Sequence, residues 1–171
     1  AIILDRPNSL KWESEFNFGS LDEKIVDLAL KGPNGEKVDD IGNGWFIGHP
    51  VRVFYDLNKI GIWQADEVEE ADGFKQFPGE IKIEDLNGDG EITLNEDRKV
   101  LGNDVPKGYG GFKNKFSFRG LDLEVFLYYR LGFMINSEFS NGQATRQGRY
   151  NNLDVDYWTI DNPTNAYPRP N

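Results

Sequence analysis

The chain has 171 residues, a formal net charge of −10 and 38% hydrophobic residues, and no apolar run approaches the roughly 18 residues that a membrane-spanning helix requires. With 29 acidic against 19 basic side chains its charge has the wrong sign for nucleic acid, whose phosphates demand a basic surface, and the lack of cysteine excludes disulfides and thiolate metal sites. Aromatics at 13% and 19 glycines point instead to β structure interrupted by long loops.

Ala1 to Asn8 is a short apolar start that closes in the turn Asp5-Arg6-Pro7-Asn8. It has no initiator methionine or signal peptide, as expected of either a processed exported protein or an internal fragment. From Leu10 to Phe18 the chain alternates. Leu10, Trp12, Ser14, Phe16 and Phe18 fall on one face, and Lys11, Glu13, Glu15 and Asn17 on the other, which predicts a strand with one apolar side. Leu21 to Leu30 fits a short helix or a continuing strand equally well, and Gly32-Pro33-Asn34-Gly35 ends it. An irregular glycine-rich stretch follows, with strands expected at Val51–Tyr55 and Lys59–Gln64 and one or two helical turns at Asp66–Ala71. Phe77 to Ile83 reads as a turn and then an alternating strand.

Asp85-Leu86-Asn87-Gly88-Asp89-Gly90-Glu91-Ile92-Thr93-Leu94-Asn95-Glu96 has the spacing of an EF-hand calcium loop. A hard cation collects about six to eight oxygens, and a chain wrapped round one ion offers alternate side chains. Asp85, Asn87, Asp89 and Thr93 occupy the first, third, fifth and ninth places, the Glu91 carbonyl the seventh, and Glu96 the twelfth as the bidentate closer. Asp97, next to Glu96, is an alternative closing ligand. Gly90 supplies the turn, because it takes positive φ without steric cost, and Ile92 points back into a small apolar patch. Much of the acidity lies between Asp66 and Asp104, where a divalent cation would relieve it. The flanking helices of a true EF-hand are missing, so a structural staple fits better than a calcium sensor.

Past the turn-rich link Leu101–Pro106, Phe112 to Phe118 and Leu121 to Tyr129 both alternate, joined by the two-residue connection Arg119-Gly120. Pairing Phe118 with Leu121 sets Phe116 beside Leu123 and Phe112 beside Leu127, so the apolar faces coincide; a slip of one residue would destroy the match. Such strands occur in soluble sandwiches, where a second sheet covers the apolar face, and in outer-membrane barrels, where lipid does. The residues alone leave both open. Beyond Gly132 the chain is polar and loop-like, ending in the proline-stiffened aromatic stretch Tyr157–Pro170.

No catalytic constellation emerges. His49 is the single histidine, which excludes a multi-histidine metal site, and Glu67, Glu69 and Glu70 read as a solvated acidic run. Gly108-Tyr109-Gly110-Gly111 lacks the Lys-Ser/Thr of a phosphate loop. Tyr157, Trp158 and Tyr167 are candidates to contact a ligand, by stacking on sugar rings, or simply local packing.

The order of short motifs carries more information than any one of them. Gly48-His49-Pro50-Val51 with Phe54-Tyr55 is followed by Gly61-Ile62-Trp63-Gln64 and Pro78-Gly79-Glu80-Ile81-Lys82. The calcium-type loop with Asp97-Arg98 and Leu101-Gly102 comes next, then Pro106 with Tyr109-Gly110, Gly120-Leu121-Asp122-Leu123 and Leu131-Gly132. Tyr157-Trp158-Thr159, Asn162-Pro163 and Tyr167-Pro168-Arg169 close the series. From about Leu10 onward this order resembles the later barrel region of SusC/RagA-type TonB-dependent outer-membrane transporters, apart from Ile160, where members of that family usually carry proline.

The resemblance implies an all-β fold: antiparallel strands of a transmembrane β-barrel, present as a fragment, with a long extracellular loop that carries the EF-hand-like calcium loop. Residues 1–18 would be a barrel strand region, 19–107 the extracellular loop, 108–132 a barrel β-hairpin turning in the periplasm, and 133–171 a further extracellular region. Leu121, Leu123, Val125 and Leu127 would face outer-membrane lipid. The family imports glycans or peptides with a SusD-like surface lipoprotein as lid and is energised by TonB, here through parts outside this chain. Three barrel strands cannot close a barrel, for which about eight are the minimum, so the chain would be a piece of a larger transporter in the bacterial outer membrane. The rival expectations are a secreted calcium-stapled β-sandwich that binds carbohydrate, and a glycan-active enzyme with a carboxylate pair.

Overall fold

The period-2 segments form the longest strands. In the computed structural model, which describes residues 2–4, 9–137 and 154–170, β1 (Ile2–Leu4) and β2 (Lys11–Ser20) are followed by β3 (Val53–Leu57), β4 (Lys59–Ile62) and a six-residue helix α1 (Val68–Gly73). β5 (Ile81–Ile83), β6 (Arg98–Asn103), β7 (Gly108–Phe118) and β8 (Leu121–Leu131) complete the order. The fold is mostly antiparallel β, with one four-stranded sheet in the order β1-β2-β7-β8 and two small pairs, β3-β6 and β4-β5. The expected turn at Asp5–Asn8 and most of the polar stretch 136–152 lie outside the described residues.

The β7-β8 register is the one expected from the apolar alternation: Phe118 faces Leu121, Phe116 faces Leu123 and Phe112 faces Leu127. Arg119 (φ 48°) and Gly120 (φ 85°) are both left-handed, as a two-residue hairpin turn with the right twist requires. β2 joins the other edge of β7, with Trp12 opposite Phe116 and Phe16 opposite Phe112. One face of the sheet therefore carries Trp12, Phe16, Phe18, Phe112, Phe116, Leu121, Leu123, Val125 and Leu127. The other carries Lys11, Glu13, Glu15, Lys113, Lys115, Asp122 and Glu124, including a Lys113–Glu124 ion pair at 3.2 Å. Ring stacking ties the apolar face across strands, Trp12 on Phe116 at 6.0 Å and Phe16 on Tyr129 at 6.1 Å. Asn114, the polar residue on that face of β7, accepts the Trp12 indole N–H at 3.0 Å. The face is not covered: Leu121, Leu123 and Leu127 are 76%, 59% and 56% exposed.

Connections alternate in length. The β7-β8 turn lies at the end of the sheet where Lys11 pairs with Ser117. At the opposite end β2 leaves through residues 21–107 and β8 leaves through Gly132. β2 runs past Phe18, since Gly19 and Ser20 still pair with Tyr109 and Gly108.

Leu21–Leu30 is neither helix nor strand. Ile25 donates its N–H to the His49 carbonyl and accepts the Gly48 N–H, both at 2.8 Å, so its backbone is committed across the loop instead of along a helix. Two strands differ in extent from expectation. β3 starts at Val53, with Val51 and Arg52 in a bend, and β4 stops at Ile62.

By contact the chain falls into two units, Ala1–Val53 with Gly102–Ile135, and Phe54–Leu101 with Asn136–Asn171. The second unit has the tighter core. Ile62, Trp63, Ala71 and Trp158 are buried, and segments about a hundred residues apart are sewn together by amides. Asn165 Oδ1 accepts the Ile62 N–H at 2.8 Å, and Gln64 Oε1 accepts the Trp158 indole N–H at 2.9 Å. Arg169 donates its N–H to the Gly79 carbonyl at 2.8 Å. Gly79 has φ 88°, and a Cβ there would come within 2.6 Å of the Trp158 ring. Gly79→Ala should therefore cost about 1–3 kcal/mol, read as faster amide exchange at Arg169. Gly73→Ala, in α1 and facing open space, should leave that exchange unchanged.

Candidate functional site

Residues 84–97 follow β5 and precede β6, so both ends of the acidic loop are pinned in small sheets. The loop curls because its short side chains capture its own backbone. Asp85 accepts the N–H groups of Gly88 (2.7 Å) and Gly90 (2.9 Å), Asn87 that of Asp89 (3.1 Å), and Asp89 that of Glu91 (2.8 Å). Gly88 and Gly90 take φ 75° and 83°, the left-handed geometry expected at the sixth place. Thr93 Oγ1 accepts the Glu96 N–H at 3.3 Å, and Ile92 is half-buried.

The residue at the centre is Asp97. It is fully buried; Oδ1 accepts the Leu86 N–H at 2.9 Å and Oδ2 the Thr93 N–H at 2.6 Å, joining the first turn of the loop to the last. Glu96 is exposed and reaches only the Thr93 hydroxyl, at 3.4 Å. The cause is local: residues 94–96 form a turn closed by the Asp97 N–H on the Thr93 carbonyl at 3.1 Å, which swings Asp97 inward and Glu96 out. Counting from Asp85 puts Glu96 at the twelfth place, and the folded chain turns its neighbour Asp97 inward. Backbone hydrogen bonds from Thr93 and then Leu86 hold the Asp97 carboxyl below its ordinary value of 3.8. Just upstream, Glu84 is lowered by hydrogen bonds from Lys99 and then Asn58.

The loop thus gathers Asp85, Asn87, Asp89 and Asp97 on one curled segment. Most of their oxygens accept backbone N–H groups, and a carboxylate or amide oxygen so engaged keeps a second lone pair. Among the described residues no three side chains of the His, Cys, Asp or Glu type converge as a group that could hold a metal ion.

The aromatic candidates separate. Trp158 is buried with its indole N–H on Gln64, so it belongs to the core and is not free to stack on a ligand. Tyr157 and Tyr167 pair in an isolated parallel bridge, and Tyr157 is largely exposed. Tyr157 edges a shallow depression with Asp154, Val155, Asp156, Thr159 and Asn162. There the Thr164 hydroxyl (2.6 Å) and Asn162 amide (2.8 Å) donate to Asp156 and lower its pKa. His49 is a loop residue whose ring meets the edge of Phe46 at 6.4 Å.

No protein-family model matches the chain. It is 31% identical to TonB-dependent receptor P26 of Formosa agariphila over 176 residues, covering 96% of this chain and 17% of that protein. TonB-dependent receptors P3 and P39 of the same organism are 27% and 22% identical, over 93% and 80% of this chain. These relatives support the TonB-dependent receptor family. The chain spans only 16–17% of the length of the curated relatives it matches.

Sequence reasoning missed the roles of Gln64, at the end of an expected strand, and of Asn165, in the proline-stiffened stretch. Because the folded carboxyl of Asp97 is lowered, its stabilisation is complete above the unfolded value near pH 4 and is lost as pH falls through the folded value. Asp97→Asn should raise amide exchange at Leu86 and Thr93 at neutral pH and remove that acid limb. Glu96→Gln should change neither.

Proposed function

We propose that this segment is part of a SusC/RagA-type TonB-dependent transporter in the bacterial outer membrane, with β2, β7 and β8 in the barrel wall. The observation that carries the reading is the sheet with one exposed apolar face and one charged face. Its strands of 10, 11 and 11 residues match the roughly 9–11 residues that cross a bilayer at barrel tilt. Short connections at one end and long ones at the other agree with periplasmic turns and extracellular loops. Leu121, Leu123, Val125 and Leu127 then face lipid, and Lys113, Lys115 and Glu124 face the lumen. Burial of such an apolar face in a soluble sandwich would need a covering sheet, and the exposure of these leucines speaks against that alternative. The function is transport, not catalysis: glycans or peptides enter under a SusD-like lipoprotein lid, with TonB engaged by other parts of the protein.

Calcium is the proposed structural ion of the 85–97 loop. Asp85, Asn87 and Asp89, the Glu91 carbonyl and Thr93 would supply oxygens, with Asp97 closing the shell in place of Glu96. What supports this is the ligand spacing and the curl of the loop, held by backbone N–H groups that donate to Asp85, Asn87 and Asp89. The ion would stiffen the loop for contact with the lid.

Two experiments on the full-length transporter in outer-membrane vesicles follow. Since this segment lacks cysteine, spin labels at Leu123→Cys and Glu124→Cys should report opposite environments, oxygen-accessible at 123 and open to a water-soluble nickel chelate at 124. Equal chelate access at both sites would remove the barrel-wall reading. For calcium, amide exchange across 85–97 should slow on adding Ca2+ and recover with EDTA. Asp85→Ala with Asp89→Ala should abolish the response and weaken retention of the lid lipoprotein; exchange indifferent to calcium would end the proposal.

A further inference from the structure

Asn-Gly pairs stand in the chain at 34–35, 43–44, 87–88 and 141–142, the last outside the described residues. An asparagine followed by glycine is prone to deamidation, because no Cβ shields the glycine nitrogen from the asparagine Cγ. Asn34, Asn43 and Asn87 are all exposed, so burial does not distinguish them. Their hydrogen bonds do. Asn34 sits at the tip of a hairpin whose ends, Lys31 and Lys37, pair in an antiparallel bridge, and there the Gly35 N–H donates to the Gly32 carbonyl at 3.0 Å. The Asn34 backbone N–H reaches Glu36 at 3.0 Å, but its carboxamide has no hydrogen-bond partner among the described residues. At Asn43 the Gly44 N–H is held by the Ile41 carbonyl at 3.2 Å, and the carboxamide itself donates to Asp40 at 2.8 Å. At Asn87 the Asp85 carboxylate holds the Gly88 N–H at 2.7 Å. The Asn87 carboxamide also accepts the Asp89 N–H at 3.1 Å and donates back to the Asp89 carboxylate at 2.9 Å.

We infer that Asn34 is a site of spontaneous deamidation, and that side-chain hydrogen bonds protect Asn43 and Asn87 from the same reaction. The Gly35 nitrogen loses its proton to solvent and attacks Asn34 Cγ, closing a five-membered succinimide, while Nδ2 departs as ammonia with a proton from water. A water molecule then opens the ring at either carbonyl, leaving aspartate or isoaspartate; the net change is one water taken up and one ammonia released. Attack needs the carboxamide to swing onto the glycine nitrogen, and that nitrogen must first release its own acceptor. This breaks one hydrogen bond at Asn34, two at Asn43 and three at Asn87. Each further bond slows the reaction about two- to tenfold. The product is one added carboxylate on the 31–37 hairpin, an ageing mark that spares the third place of the 85–97 loop. None of this depends on the barrel reading.

The test ages the full-length protein in mildly alkaline buffer and follows the mass gain of acid over amide. Trypsin puts the three sites on separate peptides, 32–37, 38–52 and 83–98. Asn34 should convert about two- to tenfold faster than Asn43, and Asn87 should be the slowest. Peptide 32–37 from the aged protein should accept methyl groups from an isoaspartyl methyltransferase. The same three peptides, incubated free, should react at similar rates, which separates the effect of the fold from that of local sequence. Asp40→Ala should speed Asn43 alone, with amide exchange at Ile47, whose N–H is held by Asp39 at 2.7 Å, reporting that the loop stays folded. No conversion at Asn34, equal rates at the three sites of the folded protein, or an order that persists in the free peptides would overturn the assignment.

Discussion

Register is the constraint on which the sheet depends. β7 pairs along its whole length with β8 and over ten positions with β2. Since side chains alternate with period two, one choice of register assigns every residue of three strands to a face. Displacing β8 by one position would bring Asp122 and Glu124 into the row of Trp12, Phe16 and Phe116, and send Leu121 and Leu123 among the lysines. The Arg119-Gly120 turn prevents this, because both residues hold the left-handed conformation of a two-residue link and leave no slack. Stacked rings and the Trp12–Asn114 hydrogen bond then reinforce the chosen register on the apolar side.

The second unit is organised on a different principle. Its sheets are pairs of three to six residues, too short to be stable by themselves, and its buried hydrophobic residues are few. Order comes from indole rings enclosed by amides and a close-fitting glycine: Trp63 donates to Gln76 at 2.6 Å, Trp158 to Gln64, and Gly79 admits the Trp158 ring. Lys82 lies 4.0 Å from the centroid of the Trp63 ring while paired with Glu67 at 2.7 Å, so one cation serves both a ring and a carboxylate. The motifs Gly61-Ile62-Trp63-Gln64, Pro78-Gly79, Tyr157-Trp158-Thr159 and Tyr167-Pro168-Arg169 all contribute to this one cluster.

These two principles explain what the sequence could reveal. The hairpin register was readable to the residue because its information is local: two alternating runs and a two-residue link. The curl of Asp85–Gly90 was readable for the same reason, as Asx side chains bond a few residues ahead. The meeting of Ile62 with Asn165 was not, since amides in irregular segments a hundred positions apart leave no periodic trace. Leu21–Leu30 defeated the choice between helix and strand because its backbone bonds are decided by Gly48 and His49. That Asp97 and not Glu96 turns inward rests on a single residue of phase. Ligand counting assumes an evenly advancing chain, and the tight turn between Thr93 and Asp97 breaks that assumption.

Glycines 108, 110 and 111 stand inside β7, the strand shared by both long pairings of the sheet. Glycine inside a strand weakens it, having no side chain to pack and more backbone freedom to lose. Here the missing bulk is replaced from neighbouring strands. Phe18 covers Gly108 and Tyr129 covers Gly110 on the apolar face, while Phe126 covers Gly111 on the charged face. Cross-strand pairing of an aromatic with a glycine restores the lost packing. A Gly-Tyr-Gly-Gly run that in sequence shows only the lack of a phosphate loop's Lys-Ser/Thr is thus a seat for rings on both sides of a strand. The rings on the charged face come from Tyr109 and Phe126, whose backbones are secured by the ladder, so the strand that lacks side chains at its glycines is packed by its neighbours.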